Sequence, residues 1–257
     1  MAGDEGVRCD LHGHLLIVTI DRPRVRNAVD GPTAAALHAA MDRIDGDRSI
    51  FAAILTGAGG TFCAGADLKA AARDGQSGAV TDRGPFGLCR RPPLKPLIAA
   101  VEGHAVGGGF EMALACDLIV AAEDARFALP EVGRNLVALG GGLLRLPRRL
   151  PYALAAEMAL TGGMVAAAPL HRHGLVNRLS GPGGALAAAR VLAGDMLANG
   201  PTALAATLAI LRRAGGGMDD DAWQEQRRLA TPALTARDRA EGLRAFIEKR
   251  SPRWQGE

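Results

Sequence analysis

Leu97-Ile98-Ala99-Ala100-Val101-Glu102-Gly103-His104-Ala105-Val106-Gly107-Gly108-Gly109-Phe110-Glu111 is the stretch that decides the architecture of this 257-residue chain. Leu97 to Val101 is a short apolar run of strand length, the pattern of a strand buried on both faces. The three glycines at 107–109 cannot sustain a strand, and a helix follows from about Gly109 to Cys116. A buried strand turning directly into a helix is the unit of an α/β fold.

The same alternation extends in both directions. Upstream, Leu15 to Ile20 is a β-rich run that stops at Asp21-Arg22-Pro23. Asp30-Gly31-Pro32 opens a helix through about Asp45, Ile50 to Leu55 is a second strand, and Asp67 to about Ala72 begins another helix. Arg73 to Pro93 bears Gly, Pro and Arg without a period and is expected to be a mobile segment that shapes a binding pocket. Downstream, Leu118 to Ala121 is a strand, Phe127 lies in a short extended piece, Leu139 to Leu150 reads as helix, and Gly174 to Asn177 as a late strand. Gly184 to Lys249 is almost entirely helical, with breaks expected at Asn199-Gly200-Pro201, Gly215-Gly216-Gly217 and Thr231-Pro232. The expected organisation is an α/β core over residues 1–195 and a helical C-terminal region over 196–257.

Composition narrows the function classes. Hydrophobic residues make up 48%, enough for a core, and aromatics only 4%, so that core rests on Ala, Leu, Val and Ile. The 30 Lys/Arg and 27 Asp/Glu are interleaved, which argues against a nucleic-acid arm. The four cysteines are far apart, so neither a disulfide framework nor a zinc site is expected, and reduced thiols in a cytoplasmic protein are. No secretory signal and no run of about 20 apolar residues is visible, so no membrane span is expected.

Three segments carry chemistry. Thr61-Phe62-Cys63-Ala64-Gly65-Ala66-Asp67-Leu68-Lys69 is rich in small residues that let another molecule approach the backbone. Val106 to Glu111 follows a strand and opens a helix, so free N–H groups and the positive end of the helix dipole converge there. That arrangement can hold an anion, with Glu111 in reach as acid or base; equally it can be a tight turn for close strand–helix packing. In Phe127-Ala128-Leu129-Pro130-Glu131, Pro130 restricts the chain just before Glu131. Glu131 is then either an aimed carboxylate or a solvated first-turn acid. His171-x-His173 lacks a third ligand and reads as a surface turn. Arg145, Arg148 and Arg149 read as a solvated or interface face, and Cys63 has no base to make it a nucleophile.

Taken in order, these segments closely resemble the crotonase superfamily, the enoyl-CoA hydratase/isomerase family. Asp21-Arg22-Pro23 with Asn27-Ala28, Lys95 to Val101, Gly174 to Asn177 and Phe246 to Arg250 complete the match, and a carnitinyl-CoA dehydratase-like branch is among those it fits. The resemblance implies a β-β-α spiral whose C-terminal helices make trimers, commonly paired as hexamers. It implies an oxyanion hole from the backbone N–H groups of Ala66 and Gly108, and two catalytic glutamates, Glu111 and Glu131. It places the CoA part of the substrate along Arg24, Val25, Ala64, Asp67 and Leu68, and counts Gly107 and Pro130 among the substrate-binding residues. Phe246 and Lys249 of a neighbouring subunit's C-terminal helix complete the site. No separate cofactor or metal is implied, because coenzyme A is part of the substrate.

The implied reaction is water addition to a 2-enoyl-CoA, with isomerisation or carnitinyl-CoA dehydration as the alternative and an RNA-binding crotonase-like protein as a distant third. Departures from the family pattern fall at Leu129, where Gln is frequent, and at Asn135, where Gly is usual. Ala138 stands for Pro, Leu139 for a small residue, Glu102 for Asn and His104 for Tyr. A bulky Leu139 is expected to narrow the water site.

Overall fold

The computed structural model describes residues 6–70, 79–213 and 220–257. Its main sheet has six strands in the order β1-β2-β3-β6-β8-β11: β1 (Val7–His12), β2 (Leu15–Ile20), β3 (Ala52–Gly57), β6 (Leu97–Val101), β8 (Leu118–Ala122) and β11 (Arg178–Ser180). The remaining strands are β4 (Val80–Thr81), β5 (Gly84–Pro85), β7 (His104–Val106), β9 (Arg126–Ala128) and β10 (Val165–Ala166). β1 and β2 form an antiparallel hairpin, and every other pairing of the six is parallel. A parallel sheet needs both faces covered, which is why all six positions of β2 are buried.

Two helices supply the cover. Alternate β2 residues Leu16, Val18 and Ile20 pack with Leu37, Met41 and Ile44 of α1 (Gly31–Gly46). The opposite parity, Leu15 with Ile54 and Ile98, packs with Ala189 and Ala193 of α6 (Ala185–Leu197). Asp30 caps α1, its Oδ1 accepting the Thr33 N–H at 3.0 Å, with a proline in the first turn.

A second sheet runs β10-β9-β7. Parallel bridges Cys63↔Ala105 and Val29↔Ala66 extend its line of pairing. Each turn of chain therefore lays a strand in the first sheet, an extended piece in the second, and then a helix. β6, β7 and α2 (Gly108–Ala115) make one such turn. β8, β9 and the helices α3 (Gly142–Arg149) and α4 (Tyr152–Thr161) make the next. This is the expected spiral. Beyond α5 (Ala167–Arg172) and α6 come α7 (Pro201–Arg213), α8 (Asp220–Thr235) and α9 (Arg237–Glu248).

The differences from expectation have local causes. Gly174–Asn177 is not a strand: Leu175 and Val176 donate to Leu170 O and close the end of α5, and pairing starts where Asn177 exchanges bonds with Ile119. α3 begins at Gly142, because Gly141 sits at φ +91, in the left-handed region. Thr231-Pro232 does not break α8; Pro232 lies inside it, and the turn falls at the extended Ala236. The break expected at 215–217 and residues 73–78 of the expected mobile segment lie outside the described residues. Residues 79–93 are folded: β4 and β5 pair, and Arg83, Phe86, Leu88 and Cys89 are buried. None of the described helices is long and apolar enough to cross a membrane.

Candidate active site

The site lies where two loops meet, and glycines make the meeting possible. Gly65 has φ +93, and a Cβ there would stand 2.9 Å from Val106 O and 3.0 Å from Gly108 N. The two loops thus touch backbone to backbone. Gly107, at φ 55 and ψ −127, supplies the turn into α2. A side chain on Gly108 would run into the Phe86 ring, and one on Gly109 into Cys63 O. The Gly107–Gly109 run is thus demanded three times over, by conformation, by an aromatic wall and by a carbonyl.

Among the described residues, two amides find no acceptor at this junction. In the bridge between Val29 and Ala66, Val29 N donates to Gly65 O at 2.8 Å and Asp67 N to Val29 O at 2.9 Å, which passes over the Ala66 N–H. The Gly108 N–H opens the first turn of α2 and has no intrahelical acceptor. The helix dipole adds positive potential at the same point. Free donors so placed can stabilise an oxygen on which negative charge develops.

Two carboxylates flank the amides. Glu111, in the first turn of α2, is 2% exposed and its Oε1 accepts the Gly142 N–H at 2.9 Å. The glycines of α3's approach make room for it: a Cβ on Gly140 would stand 2.6 Å from Glu111 Oε2, and one on Gly142 3.0 Å from its Cγ. Glu131 opens the short 3-10 helix Pro130–Arg134. Its Oε1 would stand 3.0 Å from a Cβ on Gly107, which places it over the glycine turn. Its Oε2 is buried and has no hydrogen-bond partner among the described residues. A buried carboxylate oxygen without a donor is costly and marks a place meant for one. The reading of Glu131 as a solvated first-turn acid does not match this placement.

Burial pushes the Glu111 carboxyl above its ordinary value of 4.5; the Gly142 amide opposes that, and the nearby Glu131 charge adds to it. Burial also raises Glu131. Carboxyls shifted upward suit proton transfer near neutral pH. Because the Glu131 charge is one cause of the Glu111 shift, Glu131→Gln is expected to lower the Glu111 titration midpoint, which carboxyl-carbon NMR would read directly. An unchanged or higher midpoint would show that the two carboxylates do not sense each other.

The candidate substrate groove beside it is built from residues 22–30 and 64–68, which are bonded to each other. Ala64 N donates to Arg26 O at 3.0 Å. Arg22 ion-pairs with Asp30 at 2.6 Å and with Asp67 at 3.3 Å, and also donates to Ala28 O. Asn27, fully buried at φ 57, accepts from Arg22 N and donates to Ala58 O and Thr61 O, each at 2.8 Å. Arg24, Val25, Ala64 and Leu68 are exposed along this groove, and Asp67 is half-buried. Pro130 packs under the end of α4, where a Cβ on Gly162 would stand 3.1 Å from its Cα.

Phe246 and Lys249 are not brought to this place within one chain. Phe246 is 83% exposed, Lys249 ends α9 at φ 52, and among the described residues no hydrogen bond or ion pair joins them to the carboxylates. Leu139 is 81% exposed rather than packed into the core, whereas Leu129 is buried with its Cδ1 beside Gly142. Asn135 takes the left-handed conformation that its place in the pattern requires, φ 54. Arg149 is no solvated face: its guanidinium donates to Leu114, Cys116 and Asp117 carbonyls and caps the end of α2. Arg145 donates to Cys89 O. Cys63 is buried and its thiol is pushed up to about 12, which leaves no nucleophile at neutral pH. No group of three or more His, Cys, Asp or Glu that could hold a metal occurs among the described residues.

Sequence reasoning missed Arg22 and Asn27 as organisers of the groove, and Phe86 as the wall on Gly108. The first two had a signal, an Arg-Pro followed by Asn after a strand. Phe86 had none.

A family model described as enoyl-CoA hydratase/isomerase matches residues 11–257. The chain is 40% identical to enoyl-CoA hydratase EchA19 of Mycobacterium tuberculosis, over 95% of this chain and 94% of that one. It is 41% identical to a carnitinyl-CoA dehydratase of Salmonella arizonae, over 98% and 99% of the two chains. The crystal structure of enoyl-CoA hydratase EchA1 from Mycobacterium marinum superposes with a TM-score of 0.95 at 51% identity, covering 99% of this chain and all of that one.

Proposed function

Because the chain belongs to the enoyl-CoA hydratase/isomerase family, we propose that it adds water across the double bond of a 2-enoyl-CoA at Glu111 and Glu131. The observation that carries this is the pairing of buried Glu111 with half-buried Glu131 beside two amides that, among the described residues, find no acceptor, with Glu131 Oε2 buried and without a donor there. The thioester oxygen sits between the N–H groups of Ala66 and Gly108. One carboxylate takes a proton from a water whose oxygen bonds to Cβ. Electron density moves through Cα to the thioester oxygen, giving an enolate held by the two amides. The other carboxylate delivers a proton to Cα, and the amides relax their hold as the carbonyl re-forms. No separate cofactor enters these steps.

In this reading CoA runs along Arg24, Val25, Ala64, Asp67 and Leu68, with Gly107 and Pro130 bordering the acyl end. A homotrimer or hexamer brings Phe246 and Lys249 of a neighbouring subunit to the nucleotide. Tyr152 at 78% and Leu160 at 76% exposure, which share one apolar hollow with Leu143 and Leu146, support self-association. The core, 1–195, holds the site, and 196–257 serves assembly. The four unpaired cysteines suit a cytoplasmic enzyme.

The test is a turnover screen of enoyl-CoA and hydroxyacyl-CoA substrates with product identification. Hydration of crotonyl-CoA is the expected result. The likeness to carnitinyl-CoA dehydratases favours one alternative, the same machinery run as an elimination; exclusive turnover of carnitinyl-CoA would select it. A chain that turns over neither sinks the proposal.

A further inference from the structure

The segment between the groove and β6 contains two features that water addition does not use. Phe86 holds a left-handed backbone conformation, φ 58, although it is neither glycine nor asparagine. A bulky residue at positive φ is strained and persists only where its surroundings over-determine it. Its ring is buried, and a side-chain carbon on Gly108 would run into Cζ, Cε1 and Cε2, so the ring tip lies on the Cα of the very residue whose amide is free.

The second feature explains how the strain is held. Arg83 is 3% exposed, three residues upstream, at the tip of the β4–β5 hairpin. Its Nε donates to Asp42 Oδ1 at 2.7 Å, its Nη2 to Asp45 Oδ2 at 2.5 Å and its Nη1 to Arg91 O at 3.0 Å. Arg90 and Arg91 return amide bonds to Arg83 O, and Leu94 N donates to Asp45 Oδ1 at 2.7 Å. Phe86 N donates to Ala79 O at 2.6 Å, and Gly87, at φ +78, lies against the backbone of α1. The buried guanidinium thus ties the hairpin, the following loop and α1 into one clamp, and the aromatic ring is its working end. Asp42 also meets His38 at 3.0 Å, so the clamp is continuous with the surface of α1.

We infer that Phe86 is a specificity-determining residue, the wall that decides which acyl groups fit beside the Gly108 amide, and that Arg83 is a positioning residue that acts through it. This rests on the reading of Ala66 and Gly108 as the thioester's oxyanion hole. A ring against Gly108 keeps water off the developing oxyanion and bars branches or bulk at the first acyl carbons. Straight, narrow acyl chains pass; branched ones do not.

The experiment compares wild type with Phe86→Ala, Phe86→Leu, Arg83→Met and Arg83→Lys. For each, kcat and KM are measured on crotonyl-CoA and on 2-enoyl-CoA thioesters branched near the carbonyl. Dissociation constants for saturated straight and branched acyl-CoAs are measured alongside. The expected result is that Phe86→Ala shifts the branched-to-straight ratio of kcat/KM by about tenfold or more toward branched. Phe86→Leu should shift it less. Arg83→Met should move the ratio in the same direction, and Arg83→Lys, which keeps the charge but not the fork, should lie between it and wild type. The saturated ligands keep the test independent of turnover: if wild type hydrates nothing, the proposed reaction fails while the acyl preference in binding still decides this inference. A ratio unmoved in both Phe86 variants overturns the role of Phe86. An Arg83 series in which all substrates fall equally, with melting temperature, overturns positioning in favour of plain stability. If Arg83→Met does not fold, Asp45→Asn and Arg83→Lys decide between those two outcomes.

Discussion

Glu111→Gln and Glu131→Gln should each lower the rate of crotonyl-CoA hydration by about 10²–10⁴-fold, the range that a positioned acid or base contributes. Each substitution keeps the size of the side chain and the Oε1 acceptor, so the Glu111 bond to Gly142 N can persist. What disappears is the ability to take or give a proton. The double variant should be little worse than the worse single one, because residues that act as a unit are not additive.

A second measurement on the same proteins separates chemistry from damage. Both carboxyls are raised above 4.5 in the folded chain. A carboxyl whose folded value exceeds its unfolded value favours the fold only when protonated. Its ionisation costs stability, with no cost below the unfolded value and full cost above the folded one. At neutral pH each Gln variant should therefore melt a few degrees higher than wild type, for a chain of this size roughly 2–4 °C per kcal/mol relieved. An inactive variant that melts lower has lost its fold, and wild-type turnover in both variants removes the glutamates from the mechanism.

The legible parts of this molecule were those in which the chain's own chemistry is local. Leu15–Ile20 and Leu97–Val101 announced buried strands because every position but Thr19 is apolar. Asp30-Gly31-Pro32 announced a helix start because capping needs only three residues. β1 escaped notice, since Arg8, Asp10 and His12 face outward from a sheet edge and hide the pattern. The hairpin at 80–85 and the clamp behind it escaped for a different reason. Arg83 finds Asp42 and Asp45 about 40 positions away in sequence, and nothing in a Gly- and Pro-bearing stretch says that its arginine is buried. Within the candidate site, the Gly107–Gly109 loop was readable as an anion-holding turn or as a packing turn. The structure shows the packing turn, Gly107 turning and Gly109 lying on Cys63, and among the described residues it leaves the Gly108 amide without an acceptor, as an anion-holding turn would need. The aim of Glu131 could not be read, because it depends on Gly107, Leu129 and the end of α4 meeting in space.

Gly65→Ala should cost roughly 10²–10³-fold in kcat/KM, the loss seen when an oxyanion donor is displaced, with Gly13→Ala as its control. Both glycines sit at positive φ, +93 and +58, so both substitutions carry the conformational penalty of a side chain there, about 1 kcal/mol or more. They differ in what the new methyl meets. At Gly13, in the β1–β2 hairpin, nothing lies within 4 Å. At Gly65 the methyl would press on Val106 O at 2.9 Å and Gly108 N at 3.0 Å, both backbone and neither free to rotate away. The loop of Ala64–Asp67 must then move off the loop of Val106–Gly108, and the amides of Ala66 and Gly108 separate. Gly13→Ala is expected to lower the melting temperature and leave kcat/KM within about twofold of wild type, while Gly65→Ala loses turnover even where circular dichroism and melting match the control. Since the amides act on the charge that develops and not on the resting ester, the loss should appear in kcat more than in the dissociation constant for a saturated acyl-CoA. Equal activity in the two variants would mean that the close approach of the loops is a packing feature and that the thioester oxygen is held elsewhere.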